Sequence, residues 1–144
     1  RILDQAEKVT GEQWKAKVDP EGRSLHEILA HSIAVERVWR LLSAHGLIQD
    51  GEIPGPDQLA TVEALREFSD TEAELMDILL RDWSDDSFSE KVMVTRWDGK
   101  TFPMVRWQML QHMLLHSMQH RSEAALLLTE YGRSPGDIDF LFFL

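Results

Sequence analysis

Cysteine is absent from this sequence of 144 residues. Its absence excludes disulfides, cysteine-based zinc sites and a cysteine nucleophile within these residues. Such a composition suits the reducing environment of the cytoplasm, where we expect the protein to reside. Any thiol chemistry would have to use a sulfur atom that a substrate brings to the site.

Long apolar runs and positive charge are also scarce. No stretch of roughly eighteen apolar residues occurs, so no transmembrane helix is predicted, and the first residues predict no secretory signal. The sequence has 15 Lys and Arg residues and 25 Asp and Glu residues, which gives a formal net charge of −10. This charge repels phosphate backbones and anionic lipid, so we expect neither nucleic acid nor a membrane as a partner.

Capping patterns divide the remaining sequence into helices. The length predicts one domain over residues 1–144. Residues 2–9 predict a first helix, which we expect to be truncated. Thr10 with Gln13 is typical of a capping box for a short helical piece. The same pattern at Ser24 and Glu27 begins a long helix that ends at Gly46. Apolar periodicity predicts another helix over residues 57–83.

Residues 91–104 have a different pattern, because β-branched residues replace the helical periodicity. Asp98-Gly99 is the dipeptide of a two-residue type I′ turn, which predicts a β-hairpin. Pro103 suits the first turn of a last long helix that ends at Tyr131, before Gly132. The predicted fold class is therefore all-α: an up-down-up-down four-helix bundle with a short β-hairpin before the last helix.

Three histidines follow one another at intervals of four residues in the last predicted helix. At about 100° per residue, His112, His116 and His120 share one helix face. Apolar residues continue that face at both ends, which indicates an inward-facing polar site. Two imidazoles one turn apart can converge on a single cation, as in metalloproteases with two histidines at this spacing.

A third ligand has to come from another element, and His31 is the candidate. It lies on the apolar face of its own helix, within about 60° of Ile28, Val35 and Leu42. A lone core histidine more often bonds a backbone carbonyl, but an inward pair on another helix favours a ligand role. Three neutral imidazoles and one open position suit Zn²⁺ or Ni²⁺, with Fe or Mn as alternatives.

The segment "LAHSIAVERVW" (29–39), the hairpin, "HMLLHSMQHRSEAALLLTEYG" (112–132) and the tail "SPGDIDFLFFL" (134–144) resemble the DinB/YfiT-like family, in the family's order. Such proteins are four-helix bundles that hold a divalent metal on three histidines. One lies on the second helix and two lie four residues apart on the last, the second followed by Arg. The resemblance assigns these positions to His31, His116 and His120, with Arg121 following. His112 then lies one turn outside, as a supporting residue or a filler.

Glu123 departs from the family pattern, since Ser122-Glu123 stands where Gly-Gln often follows the Arg. It points about 20° from the direction of His116. It is the one candidate catalytic residue: it could orient a ligand imidazole, accept a proton or join the coordination. The alternative is an exposed helix glutamate. Glu36, about 140° from His31, is expected at the surface or between subunits.

The resemblance implies a metal-dependent enzyme of the thiol S-transferase type. Its substrate would be a low-molecular-weight thiol such as bacillithiol or mycothiol. The alternatives are a metal-dependent hydrolase and a non-catalytic stress protein that binds a metal or a small ligand. Similar proteins often form homodimers, and the apolar tail 140–144 favours one here. Trp97, in the hairpin, is the candidate lid of the site.

Overall fold

The computed structural model describes residues 1–17, 20–96 and 98–139. Most of these residues are helical, and one two-stranded antiparallel sheet precedes the last helix. The elements in chain order are α1 (Ile2–Ala6), α2 (Gly11–Lys15), α3 (Leu25–His45), a 3-10 helix (Pro56–Leu59), α4 (Val62–Arg81), α5 (Asp85–Ser89), β1 (Lys91–Thr95), β2 (Thr101–Val105) and α6 (Arg106–Glu130). Trp97, the predicted lid, and the apolar tail 140–144 lie outside the described residues.

Both predicted ends of α3 are confirmed. The Ser24 hydroxyl accepts a hydrogen bond from the Glu27 amide at 3.2 Å, and the Glu27 carboxylate accepts one from the Ser24 amide at 2.7 Å. Gly46 ends the helix with a φ of +76°, which glycine adopts at little cost. A Cβ atom there would lie 2.2 Å from the carbonyl oxygen of Met93. The same glycine therefore ends α3 and lets the hairpin pack closely against it.

The helix predicted over residues 57–83 begins later than expected. Pro56–Leu59 forms a separate 3-10 helix, and the chain becomes extended again at Thr61. The Thr61 hydroxyl accepts a hydrogen bond from the Ala64 amide at 3.2 Å and caps α4. The break arises because this cap needs a non-helical residue at position 61.

The hairpin is confirmed, but its predicted turn is wrong. The two strands pair as far as Thr95 opposite Thr101, so the connection spans residues 96–100. Its described residues have a positive φ at Gly99 alone, whereas a type I′ turn needs two such residues. Pro103 was also misassigned: it lies in β2 opposite Met93. Proline is tolerated there because each strand of a two-stranded sheet is an edge strand.

The core lies along α3, which packs antiparallel to α6 and also contacts α4. One apolar cluster, which includes Leu25, Leu65 and Leu128, joins the start of α3 to the end of α6. A second, with Leu42, Val94 and Met109, joins the end of α3 to the hairpin and the start of α6. Polar residues between the clusters are thus held by packing on both sides. Three of the described helices are long, so the four-helix up-down-up-down arrangement stays a prediction.

Every helix among the described residues is too short or too polar to span a membrane.

Candidate metal centre

The antiparallel packing of α3 and α6 brings His31 opposite His116 and His120. One ring nitrogen from each of the three lies within 4.8 Å of the others. The ring centroids are 5.2 Å apart for His31 and His116, 4.9 Å for His31 and His120, and 4.4 Å for the α6 pair. Two helices far apart in sequence thus bring the three predicted ligands together.

The two α6 imidazoles already stand at a spacing that suits a shared cation. Their Nε2 atoms are 3.2 Å apart. With Zn–N bonds of about 2.0–2.1 Å, two nitrogens on one tetrahedral zinc lie about 3.4 Å apart. The pair therefore needs little rearrangement to hold a metal ion.

Glu123 orients one of these imidazoles. Its Oε2 lies 2.7 Å from Nδ1 of His120, and Gln119 donates a hydrogen bond to its Oε1 at 3.0 Å. A carboxylate accepts here, so the His120 proton belongs on Nδ1 and Nε2 keeps its lone pair. Burial raises the pKa of Glu123, but the hydrogen bonds from Gln119 and His120 outweigh it, and the pKa is lowered overall. Glu123 is thus ionised at neutral pH and contacts Nδ1 of His120, the ring nitrogen that does not face His116.

The surroundings of His31 and His116 favour the neutral form of both imidazoles. Burial lowers the pKa of His31 to about 4, and the positive charge of Arg23 and the α6 histidines act in the same direction. Burial also lowers the pKa of His116, with His120 and His112 adding to the effect. Metals bind the neutral form of imidazole. His31 and His116 are therefore in the ligating form at pH 7.

The donor set tests whether a metal fits these residues. Nδ1 of His116 is buried and has no hydrogen-bond partner among the described residues, but a cation held on the facing Nε2 atoms of His116 and His120 would leave it without one. The fit rests instead on three imidazole nitrogens within 4.8 Å of one another, which match the donor set that zinc and similar divalent ions prefer. The residues present fit a divalent cation.

His112 lies outside this group. It is exposed, and its ring centroid is 5.9 Å from that of His116 and 4.6 Å from that of Trp39. It packs between the candidate centre and the tryptophan of α3. Glu27, which the capping pattern already explained, caps α3 and also pairs with Lys17 at 3.4 Å.

Glu36 is half-buried rather than fully exposed at the surface, and a position between subunits stays a prediction. Its side chain faces α6, where the Ser117 hydroxyl donates a hydrogen bond to it at 2.8 Å. Burial raises its pKa, while the Ser117 hydrogen bond and the charge of Arg121 oppose the rise. The small Ser117 side chain leaves room between the helices for a carboxyl group, which the angle on α3 alone could not indicate.

Two neighbours of the site were missed from the sequence. Gln119 supports Glu123 at an i, i+4 spacing, a signal visible on a helical wheel. Arg23 is exposed, and its positive charge acts on His31, His116 and Glu123. It precedes the cap of α3 and reaches the α6 residues only because the two helices pack antiparallel.

Comparison with known proteins identifies the family. The model of the DinB family matches residues 1–144. The chain belongs to the DinB family. Its fold is similar to that of the DinB-like protein YjoA from Bacillus subtilis, with a TM-score of 0.65 and 16% identity over 93% of this chain and 85% of that one.

A DinB-like protein from Bacillus cereus ATCC 10987 is similar in fold, with a TM-score of 0.63 and 17% identity over 96% of this chain and 88% of that one. At this identity the two structures show the DinB fold alone. No curated protein matches the sequence.

Proposed function

We propose that this DinB-family protein binds one divalent cation through His31, His116 and His120. The convergence of three ring nitrogens within 4.8 Å carries the proposal. The lowered pKa values of His31 and His116 and the 3.2 Å separation of the Nε2 atoms of His116 and His120 support it. Zn²⁺ or Ni²⁺ suits three neutral imidazoles best, and Fe or Mn is the alternative.

The proposed reaction is the transfer of a low-molecular-weight thiol to an electrophile. A divalent cation, when bound, lowers the pKa of a thiol or water that joins it. The thiol loses its S–H proton, its sulfur forms a bond to an electrophilic carbon, and the leaving group departs with the bonding electron pair. Reduced thiols are abundant in the cytoplasm, where we propose that the protein acts.

Glu123 is the proposed proton acceptor and positioning group. It holds the proton of His120 on Nδ1, and its side chain is 42% exposed, so solvent can exchange protons with it. It is ionised and can accept a proton, although its lowered pKa makes it a weaker base than an ordinary glutamate. His31 and His116 hold the cation from the other sides, and the apolar clusters around Leu25 and Leu42 keep the helices in place.

A metal-dependent hydrolase is the second candidate. The carboxylate of Glu123 next to His120 favours it, because the same residue could take a proton from water. A non-catalytic protein that binds a metal or a small ligand would use the same three histidines and would need no base.

Metal content and a spectroscopic signal test these proposals. Tag-free protein that has never met a chelator should contain close to one divalent cation per chain by elemental analysis. The Co²⁺-substituted protein should develop a sulfur-to-metal charge-transfer band when a suitable thiol is added. Because the sequence has no cysteine, the band could arise only from the added thiol.

Three results would contradict parts of the proposal. Protein without Zn, Ni, Fe, Mn or Co would overturn the metal site. A full site that no thiol perturbs, in a protein that hydrolyses an ester or amide, would favour the hydrolase. A full site with neither property would favour the non-catalytic binder.

A further inference from the structure

An apolar cavity lies next to α3, the helix that carries His31. It is bounded by the second half of α3, the segment 47–53 and the hairpin, and its volume is about 770 Å³. Cavities that bind small organic molecules usually measure about 300–1,000 Å³ and are lined mainly by apolar side chains. This cavity falls within that range.

The hairpin contributes one apolar face to the cavity. Val94, Phe102 and Met104 line it, whereas Met93 points to the other face of the same hairpin and is 58% exposed. The alternation follows from the two-residue period of a β-strand. The sequence of the hairpin thus places one methionine in the cavity wall and a second one in solvent.

The charged lining residues provide no strong attraction for an ion. Arg96 lies 3.4 Å from Asp98, and the other charged lining residue, Asp50, is exposed. The remaining polar lining residues are uncharged. A charge moved from water into such a cavity without a partner would cost several kcal/mol, so an uncharged occupant fits best.

Two contacts connect this cavity to the histidines. Ile53 lines both this cavity and a smaller one of about 310 Å³, whose wall includes His31. Trp39 forms another part of the wall, and its ring packs against His112, the neighbour of His116. Trp39 follows His31 by eight residues, which is about 12 Å along the helix. The two cavities thus share the Ile53 side chain, and the wall at Trp39 lies about two turns of α3 from His31.

We propose that this cavity binds the apolar body of a small uncharged organic molecule and that this molecule is the electrophile that receives the thiol. The role as an electrophile rests on the function proposed above, whereas the binding does not. The thiol then approaches from the side of Arg23 and Glu123, and the acceptor from the side of Trp39 and Ile53.

Titration with the uncharged fluorescent probe N-phenyl-1-naphthylamine tests the binding. The protein should increase the probe's fluorescence saturably, with about one probe bound per chain, both metal-loaded and after chelation. Met104→Gln should weaken binding at least tenfold, because it puts an amide into the apolar wall. Met93→Gln, the same change on the other face of the hairpin, should bind like the wild type.

Two further variants control for misfolding and for a different binding site. Ile48→Ser, in the loop that lines the cavity, should also weaken binding and leaves the strand pairing untouched. Leu126→Gln alters an exposed apolar residue of α6 that does not line the cavity and should have no effect. The circular dichroism spectrum and the metal content of each variant should equal those of the wild type, which shows that a change in probe binding does not arise from misfolding.

Specific results would overturn the proposal. They are a lack of saturable binding, equal binding by wild type and both cavity variants, or a loss caused by Leu126→Gln instead. Failure of the thiol-transfer function is distinguishable: the probe would still bind, while no thiol would perturb the Co²⁺ spectrum. If both hold, Met104→Gln should raise KM for an apolar electrophile and leave the thiol-induced band unchanged.

Discussion

His116 and His120 differ in what holds their rings. The Glu123 carboxylate holds His120 at 2.7 Å, whereas Nδ1 of His116 is buried without a hydrogen-bond partner among the described residues. The position of His116 therefore depends on packing against its neighbours and, by our proposal, on the cation. Because His120 has a hydrogen bond that His116 lacks, substitutions around the two rings should affect metal binding differently.

Alanine substitutions should separate His116 from His112. His116→Ala should lose nearly all bound metal, because it removes one of three donors from the group within 4.8 Å. His112→Ala should reduce metal affinity by about 10–100-fold at most, the usual effect of a residue outside the ligand set. Affinity measured by competition with a chromogenic chelator gives both values. Equal and complete loss in both variants would instead indicate a four-histidine site.

Glu123→Gln should keep the metal and slow the reaction. The glutamine oxygen can still accept the hydrogen bond from Nδ1 of His120, but the neutral amide is a poor proton acceptor. The thiol-induced band of the Co²⁺ protein should therefore survive while kcat falls. Glu130→Gln, an exposed glutamate near the end of the same helix, is the matched control and should change neither. Unchanged kcat in Glu123→Gln would remove its proton role.

Glu36→Gln should stabilise the protein at neutral pH. Burial raises the pKa of Glu36 above its ordinary value of 4.5, so the unfolded chain ionises first as pH rises. The stability tied to the protonated group is complete below pH 4.5 and is lost as pH rises through the raised folded pKa. Glutamine can keep the Ser117 hydrogen bond without a charge. We therefore expect a higher Tm than wild type at pH 7.5.

The pH dependence of that difference is the check. At pH 4 the wild-type carboxyl group is largely neutral in both states, so the two Tm values should nearly coincide. Chelator must be present throughout, because acid would also release a bound cation. Glu74→Gln, an exposed change on α4, should show no such pattern. A lower Tm for Glu36→Gln at pH 7.5 would show that the ionised carboxylate is stabilising.

At the scale of elements, α3 and α4 are joined by a buried charge cluster. Glu72 on α4 is 3% exposed and lies 2.6 Å from Nε of Arg37 and 2.8 Å from Nε of Arg40, both on α3. The Arg37 guanidinium also lies 4.0 Å above the ring of Phe68. The carboxylate therefore holds two partly buried cations at the helix contact.

Glu72→Ala should cost roughly 3–5 kcal/mol of unfolding free energy, because it leaves two partly buried guanidinium groups without their carboxylate. Urea denaturation monitored by tryptophan fluorescence measures the change. Glu74→Ala, an exposed glutamate on the same helix, should change stability by less than about 0.5 kcal/mol. A similarly small effect for Glu72→Ala would show that the cluster contributes little net stability.

At the scale of the whole molecule, α6 carries an exposed apolar stripe opposite its histidines. Trp107, Leu114 and Met118 lie within about 20° of one direction on the helix. They are 47%, 60% and 39% exposed. Exposed apolar patches of this kind commonly cover a partner surface. We propose that a second copy of this chain covers the stripe.

Light scattering at micromolar concentration should then give about twice the chain mass of 16.6 kDa. Leu114→Glu should give the monomer mass and retain its metal, because the stripe faces away from the histidines. Leu126→Glu, an equally exposed leucine about 100° away on the same helix, is the control and should remain a dimer. A wild-type mass near 16.6 kDa would contradict the proposal.

The local features of this protein could be predicted because they depend on neighbours within one helical turn. The caps at Thr10 and Ser24, the stop at Gly46 and the common face of the α6 histidines all follow from spacings of one to eight residues. The hairpin was predictable for the same reason, although its turn was not. Its register depends on how β1 and β2 dock against Gly46 and on where α6 begins.

The tertiary structure alone decided which distant residues meet. The antiparallel packing of α3 on α6 brings His31 to His116 and His120 and brings Arg23 to the same site. It also brings the half-buried Glu36 to the small side chain of Ser117 and leaves the cavity beneath the hairpin. Periodicity indicates which face of a helix is apolar, but not which residue of another helix it will meet. That choice depends on side-chain volumes summed over the whole core.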